Sequence, residues 1–133
     1  MKPTFADTYY FIALLSPDDD GHARATEFAR AFSGRMMTTA WVLTELADGL
    51  CRPPIRDRVG LFTERLIQEP GIEIVLGDES LFAAGLQLYR QRPDKDWSLT
   101  DCISFVVMQR EGIREALTGD HHFEQPGFTA LLK

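Results

Sequence analysis

One stretch of the sequence determines the fold: Phe5-Ala6-Asp7-Thr8-Tyr9-Tyr10-Phe11-Ile12-Ala13-Leu14-Leu15, residues 5–15. It predicts a short apolar strand followed at once by an apolar helix, with one acid between them. The strand closes at Asp7, and the helical segment is Tyr9–Leu15. Near the other end of the chain, Ala116–Thr118 predicts a second strand, which ends at Gly119-Asp120. Ligands of open α/β sheets bind beyond the carboxyl ends of the strands. Asp7 and Asp120 therefore stand where such a site is expected.

The chain between these two strands alternates helical and strand patterns. This alternation predicts right-handed crossovers and a parallel sheet that is covered on both faces. We therefore expect an α/β three-layer sandwich, with a central parallel sheet flanked by helices. Further helices are predicted at His22–Phe32 with Gly34 as its C-terminal cap, at Thr39–Leu50, at Ile55–Gln68, from the N-cap Asp78 through Leu88, and from the capping box Ser98–Asp101 to about Gly112; further strands are predicted at Arg35–Thr38, Ile72–Leu76 and Phe128–Leu132.

The composition predicts a single globular domain over residues 1–133, with 44% hydrophobic and 26% charged residues. No apolar run approaches the roughly 20 residues that span a bilayer. Cys51 and Cys102 form no CxxC pair, which predicts a protein of the reducing cytoplasm. The apolar stretches Tyr9–Ile12 and Val59–Phe62 exceed the needs of one small domain, so they predict a homodimer.

The net charge of −6 argues weakly against a nucleic-acid partner, because proteins that bind nucleic acids usually carry a basic surface. Two details soften this objection. Eleven of the 14 basic residues are arginines, whose forked guanidinium suits phosphate. In addition, acids that converge on metal ions are neutralised locally. A nucleic-acid substrate therefore stays open.

Four acids come from separate predicted elements. Asp7 and Asp120 follow strands, and Asp101 lies at a helix N-terminus. Glu45 lies within a helix, on its less apolar side. Hard divalent cations such as Mg²⁺ bind carboxylates, waters and substrate phosphate oxygens. Since hydrolysis of a phosphodiester by metal-bound water needs carboxylates that converge on one point, these acids predict a metal-dependent site.

Four segments form a set: Phe5-Ala6-Asp7-Thr8, Thr38–Leu46, Asp96–Phe105 and Leu117–Phe123. Together they resemble the motifs of the PIN domain family, in the family's order and over almost the whole chain. The resemblance implies the PIN fold and a Mg²⁺- or Mn²⁺-dependent endoribonuclease of the VapC-like toxin type, acting on RNA. It also implies a homodimer and, often, an antitoxin partner encoded by a neighbouring gene.

The resemblance assigns roles to particular residues. Gly119 departs from it, because the family more often has a bulkier residue there, and we expect this glycine to loosen the loop before Asp120. The acids of catalysis and of the metal centre would be Asp7, Glu45, Asp101 and Asp120; the residues that would support them are Thr8 and Thr118 through their hydroxyls, Asp96, and as a lesser candidate Glu124.

Each of the four acids also has a plainer interpretation. Asp7 and Asp101 can simply cap the helices that follow them. Glu45 can be a solvated helix residue, and Asp120 can be a turn residue after Gly119. These roles are compatible with metal binding, because a carboxylate has two oxygens.

Other residues suggest specific roles in metal binding, catalysis or base stacking, which we do not favour. His121 and His122 suggest zinc, but adjacent histidines of a regular element do not easily aim at one ion, so surface or substrate-side roles are expected. Cys102 is predicted to pack in a helix. Trp41 and Trp97 are expected in the core or an interface rather than stacked on bases.

Two other functions compete with a nuclease. The first is a catalytically inactive PIN-like scaffold that binds RNA or protein, which the presence of all four acids disfavours. The second is a phosphatase with an aspartyl nucleophile. That chemistry usually needs an Asp-x-Asp pair after the first strand, whereas Asp7 is followed by Thr8 and Tyr9.

Overall fold

The structure is a computed structural model that describes residues 2–133. Its strands are β1 (Thr4–Ala6), β2 (Met36–Thr39), β3 (Ile72–Val75), β4 (Glu115–Leu117) and β5 (Thr129–Ala130). They form one sheet in the order β3-β2-β1-β4-β5, and every neighbouring pair is parallel. The predicted parallel sheet is therefore confirmed.

Six helices flank this sheet and complete the expected sandwich. The predicted helices are all found, with small shifts at their ends. Within the described residues, no helix has the length and apolar content needed to cross a bilayer. The helices are α1 (Thr8–Leu15), α2 (His22–Ala31), α3 (Ala40–Gly49), α4 (Ile55–Gln68), α5 (Glu79–Gln91) and α6 (Leu99–Glu111), and a short 3₁₀ turn covers His121–Phe123.

The helix caps follow local sequence signals in most places. Ser98 and Asp101 form the predicted capping box of α6, and Gly112 ends that helix in the left-handed conformation with φ 68°. The prediction that Gly34 caps α2 is wrong. The helix ends at Ala31, because Phe32 leaves it with extended backbone angles and needs no left-handed residue after it.

The apolar stretch near the N-terminus belongs to the core of the domain itself. Tyr10 and Phe11 are only 4% and 1% exposed, and Val59 is also buried. The inference of a homodimer from a surplus in these stretches therefore loses most of its support. Leu61 is the exposed apolar side chain within these stretches, and the others lie elsewhere, at Ile67, Leu76, Phe82, Leu86 and Tyr89.

One glycine sets the position of α6 relative to α5. Gly85 is buried in α5, and a Cβ atom built on it would overlap Cγ1 of Ile103 and lie 3.2 Å from the Ile103 Cα. The two helices therefore approach closely at this point. Because Ile103 lies two residues after Asp101 on α6, this contact also constrains the position of Asp101.

Candidate active site

The ends of β1 and β4 bring together residues that are far apart in the chain. The two strands pair in parallel, with Ala6 opposite Leu117. The next residues, Asp7 and Thr118, therefore leave the sheet side by side. The Asp7 N–H donates to the Leu117 carbonyl at 3.3 Å, which extends the strand pairing as far as the acid.

The hydroxyl of Thr118 links two of the predicted acids. It donates to Asp7 Oδ2 at 2.8 Å and accepts the Asp120 N–H at 3.0 Å. The same Asp7 oxygen accepts the Tyr9 N–H at 3.4 Å, at the start of α1. Thr118 is fully buried, so this hydrogen-bonded link is shielded from solvent.

Asp101 and Asp120 reach the site from the starts of two helical segments. Asp101 Oδ2 accepts the Ser98 N–H at 3.1 Å, and Asp120 Oδ1 accepts the His122 N–H at 2.9 Å. The capping roles that the sequence left open are therefore present. Each uses one carboxylate oxygen, and within residues 2–133 no hydrogen bond is seen to Asp101 Oδ1 or Asp120 Oδ2. Those oxygens remain available to a ligand.

Burial of Asp7 governs its protonation. Removal from water raises its pKa to about 7, and the negative charge of Asp101 adds to the rise. The Thr118 hydroxyl and the Thr8 backbone N–H oppose it, and the charge of Glu45 adds a smaller increase. Glu45, which is half-buried on α3, therefore lies close enough to act on Asp7.

Asp101 behaves in the same way. Burial raises its pKa to about 6 against the opposing hydrogen bond from Ser98, and the charges of Asp120 and Glu45 add to the rise. A weaker contribution from His122 lowers it. Each of the four acids thus acts electrostatically on at least one other, so the four side chains that the sequence singled out lie at the same end of the sheet.

The gathered side chains suit a divalent cation. Their donors are all carboxylate oxygens, as Mg²⁺ and Mn²⁺ prefer, and a cation would relieve the repulsion that raises the pKa values. Beside Asp7, the hydroxyl of Thr8 is buried and has no hydrogen-bond partner among the described residues. An unpartnered buried hydroxyl beside a cluster of acids fits a site that binds water or a hydrated ion.

Two weaker candidates lie apart from this cluster. Asp96 is exposed and lines a cavity of about 420 Å³ together with Arg92 and Trp97. No contact described within residues 2–133 joins it to the four acids. Glu124 is exposed and pairs with Lys133 at 2.9 Å. The structure therefore gives neither acid a supporting role at the site.

Of the surface and substrate-side roles expected for the paired histidines, the position of His122 beside the acids favours the substrate-side role. Its Nδ1 lies 3.3 Å from Asp120 Oδ1 and 3.5 Å from Asp101 Oδ2. His121 Nδ1 lies 3.6 Å from Asp120 Oδ1, and its side chain is far more exposed. The expectation assumed a regular element, whereas the 3₁₀ turn brings both rings to Asp120. The signal in the sequence was the Asp-His-His string itself, read with Asp120 as a possible partner.

Gly119 packs closely against Tyr9 of α1, whereas the sequence predicted that this glycine loosens the loop before Asp120. A Cβ atom there would lie 2.5 Å from Tyr9 Cζ and 2.6 Å from its hydroxyl oxygen. On its other side, the Tyr9 hydroxyl approaches Gly21. The absence of a side chain at Gly119 therefore lets the loop that carries Asp120 lie directly against α1.

A tryptophan joins the start of α6 to the segment after the 3₁₀ turn. Trp97 is buried, as expected, and its Nε1 donates to Gln125 Oε1 at 2.7 Å. Its ring meets Phe105 edge-on, and Phe105 meets Phe123 in the same way. Cys102 is buried beside this group, as predicted, and burial raises the pKa of its thiol to about 11. These contacts hold Asp101 and Asp120 on one rigid support.

The sequence matches the PIN domain family over residues 4–128. The chain belongs to this family. All four acids lie inside the matched range, and the family predicted from the motifs is confirmed. A search of curated proteins gave no significant match.

Solved structures show the same PIN fold. The sarcin-ricin loop cleaving toxin VapC20 of Mycobacterium tuberculosis has a TM-score of 0.88 and 23% identity, over 96% of this chain and 98% of that one. FitAcB from Neisseria gonorrhoeae has a TM-score of 0.66 and 19% identity, over 96% and 94%. DNA-bound VapBC from Salmonella typhimurium has a TM-score of 0.62 and 18% identity, over 98% and 97%. These likenesses establish a shared fold.

Proposed function

We propose that this PIN domain, formed by residues 1–133, is a Mg²⁺- or Mn²⁺-dependent endoribonuclease that hydrolyses phosphodiester bonds of RNA. The observation that carries the proposal is the convergence of four carboxylates from four elements, two of them with pKa values raised by burial and by each other's charge. The proposed catalytic and metal-binding residues are Asp7, Glu45, Asp101 and Asp120.

The part of the protein in this reaction is to hold the carboxylates in fixed positions. A cation bound by these carboxylates would supply two things, polarisation of the phosphate and activation of a water molecule as the nucleophile. Thr118 holds Asp7 through its hydroxyl, and Ser98 holds Asp101 through its N–H. Since each of these bonds uses only one lone pair of a carboxylate, the remaining lone pairs stay free to bind the cation. Side chains held in this way lose little conformational entropy when the cation and substrate bind.

We also propose that the protein is the toxin of a type II toxin–antitoxin pair and acts in the cytoplasm. The fold that it shares with VapC20 and with VapBC supports this assignment. An apolar groove of about 400 Å³ between α3, α4 and β3 suits an apolar segment of an antitoxin. The residues that line it include Ala40, Leu43, Ile67, Ile72, Ile74 and Leu76.

The test combines metal binding with RNA cleavage by the purified protein. The substrates are ribosomal RNA and a synthetic sarcin-ricin hairpin, each with EDTA, Mg²⁺ or Mn²⁺. Asp7→Asn and Asp101→Asn should each lose the rise in melting temperature caused by Mn²⁺ and about 100-fold or more of cleavage. Asp96→Asn is the matched control, and it should keep both.

Two results would contradict this proposal in different ways. Metal-dependent cleavage that persists in both Asp7→Asn and Asp101→Asn would remove these acids from the mechanism. A wild-type protein that binds neither Mg²⁺ nor Mn²⁺ would favour the alternative, an inactive PIN-like scaffold that binds RNA or protein.

A further inference from the structure

The imidazole of His122 lies between two acids that come from different elements. Its Nδ1 is 3.3 Å from Asp120 Oδ1 and 3.5 Å from Asp101 Oδ2. The side chain is 20% exposed, while that of Asp101 is 10% exposed, so the contact is largely sheltered from solvent. The ring therefore occupies the space where the proposed metal centre meets the 3₁₀ turn.

The two separations are too long for a direct charge-assisted hydrogen bond and are compatible with donors that share one ion. A charge-assisted N–H···O⁻ bond is usually about 2.7–2.9 Å long, and both contacts are clearly longer. With metal–ligand bonds of about 2.1 Å, neighbouring donors lie about 3.0 Å apart around an octahedral cation and about 3.4 Å apart around a tetrahedral one. The two nitrogen–oxygen separations, 3.3 and 3.5 Å, lie within about 0.5 Å of the octahedral spacing that Mn²⁺ takes.

Local structure fixes the ring in this position. The His122 backbone N–H donates to Asp120 Oδ1, so the residue is tied to the acid that its own ring approaches. The next residue, Phe123, is fully buried against Phe105 and anchors the turn. Phe105 lies on α6, which also carries Asp101, so the same helix positions both the turn and Asp101.

The other two histidines do not share this geometry. His121 approaches Asp120 alone, at 3.6 Å, and its side chain is 64% exposed. His22 lies on α2, where its Nδ1 is 2.8 Å from the carbonyl oxygen of Ala13. His122 is therefore the histidine that contacts acids from both α6 and the loop after β4.

We propose that His122 Nδ1 is a nitrogen ligand of the metal centre and makes it favour Mn²⁺ over Mg²⁺. The proposal rests on the metal-dependent function proposed above and specifies which cation that function uses. Mg²⁺ is a hard cation that takes oxygen ligands, whereas imidazole nitrogen binds first-row transition metals more readily. One nitrogen among four carboxylates should therefore shift the preference without excluding Mg²⁺.

The rival explanation is an ion pair, in which protonated His122 only offsets the charge of Asp101 and Asp120. This role predicts a different result on substitution. Loss of an ion pair would change the affinity for both cations in the same direction and by similar factors. Loss of a nitrogen ligand would weaken Mn²⁺ binding far more than Mg²⁺ binding.

The experiment uses the full chain loaded with Mn²⁺ and does not depend on catalysis. Pulsed electron paramagnetic resonance should detect ¹⁴N coupled to the bound Mn²⁺, and the signal should change to that of ¹⁵N in protein labelled with ¹⁵N-histidine. The coupling should vanish in His122→Ala and remain in His121→Ala, which serves as the matched control. By calorimetry, His122→Ala should bind Mn²⁺ about 10-fold or more weakly, with Mg²⁺ affinity changed by less than about 3-fold.

The outcomes separate this inference from the function on which it rests. Mn²⁺ that binds with no histidine nitrogen coupling would overturn the role of His122 and leave the metal-dependent function standing. An equal loss of affinity for both cations in His122→Ala would do the same. Failure of the wild type to bind Mn²⁺ would overturn both. The labelled wild type gives an answer even if His122→Ala fails to fold.

Discussion

The side chain of Asp7 accepts hydrogen bonds, but its charged form is unfavourable because it is buried. Its buried carboxylate accepts bonds from Thr118 and Tyr9, yet its pKa is raised to about 7 from an ordinary value of 3.8. The folded protein therefore holds a proton at Asp7 that the unfolded chain releases above about pH 4. The stability that comes from protonated Asp7 is fully present below about pH 4 and is lost as the pH rises through about 7.

Asp7→Asn should make the metal-free protein more stable at high pH, because the amide accepts the same hydrogen bonds without a charge. At pH 8 in EDTA we expect a gain of about 1–4 kcal/mol in the free energy of unfolding, and little gain at pH 4. Chemical denaturation of the wild type and the variant from pH 4 to pH 8 measures this difference.

Asp94 provides the control with the opposite sign. It is exposed, and its hydrogen bonds to Arg92 lower its pKa to about 2. Its contribution is present above about pH 4 and is lost as the pH falls toward 2, so Asp94→Asn should show no gain at pH 8. A gain at pH 8 that is equal in both variants would mean that net charge, rather than the burial of Asp7, is responsible.

At the scale of the elements, two glycines inside helices allow the effect of intrinsic helix preference on stability to be measured separately from the effect of packing. Gly60 in α4 is exposed, and a Cβ atom there would have no neighbour within 4 Å, whereas a Cβ at Gly85 in α5 would overlap Ile103 of α6. Gly60→Ala should raise the free energy of unfolding by about 0.5–1 kcal/mol. Gly85→Ala should lower it by about 1–3 kcal/mol, because α5 and α6 must move apart.

Urea denaturation of the two variants checks this prediction, and Mn²⁺ titration extends it. Displacement of α6 moves Asp101, so Gly85→Ala should also weaken Mn²⁺ binding, while Gly60→Ala should not. Equal stabilisation by both substitutions would show that α5 and α6 are not held by this contact.

The elements that the sequence predicted correctly are those with local signals. Ser98 and Asp101 are three residues apart, and their capping box needs nothing beyond α6. The meeting of Asp7 and Asp120 also followed, because a topological rule places strand ends together. The ring of Tyr9 over Gly119 and the approach of His122 to Asp101 did not follow, since both depend on contacts between segments that no local pattern encodes.

On the scale of the whole molecule, three exposed apolar side chains form a stripe along one helix. Phe82, Leu86 and Tyr89 lie at helical spacing on α5. We expect the protein to be a homodimer that buries this stripe, since single domains rarely leave such a patch in water. Light scattering should give the mass of a dimer for the wild type at micromolar concentration, and that of a monomer for Leu86→Glu.

Leu61→Glu is the matched control, because Leu61 is also exposed but lies on α4. It should remain a dimer. A monomeric wild type, or dissociation by Leu61→Glu alone, would contradict the use of α5.

The hydrogen bond between Thr118 and Asp7 joins residues 111 positions apart in the chain. A ribosome makes proteins from the N-terminus, so Asp7 is synthesised 111 residues before its partner Thr118. A product that ends prematurely before β4 carries Asp7, Glu45 and Asp101 but lacks Thr118 and Asp120. If the protein cuts RNA, the order of its chain thus delays a complete cutting site until Thr118 and Asp120 have been made, which protects the messenger and the ribosome up to that point.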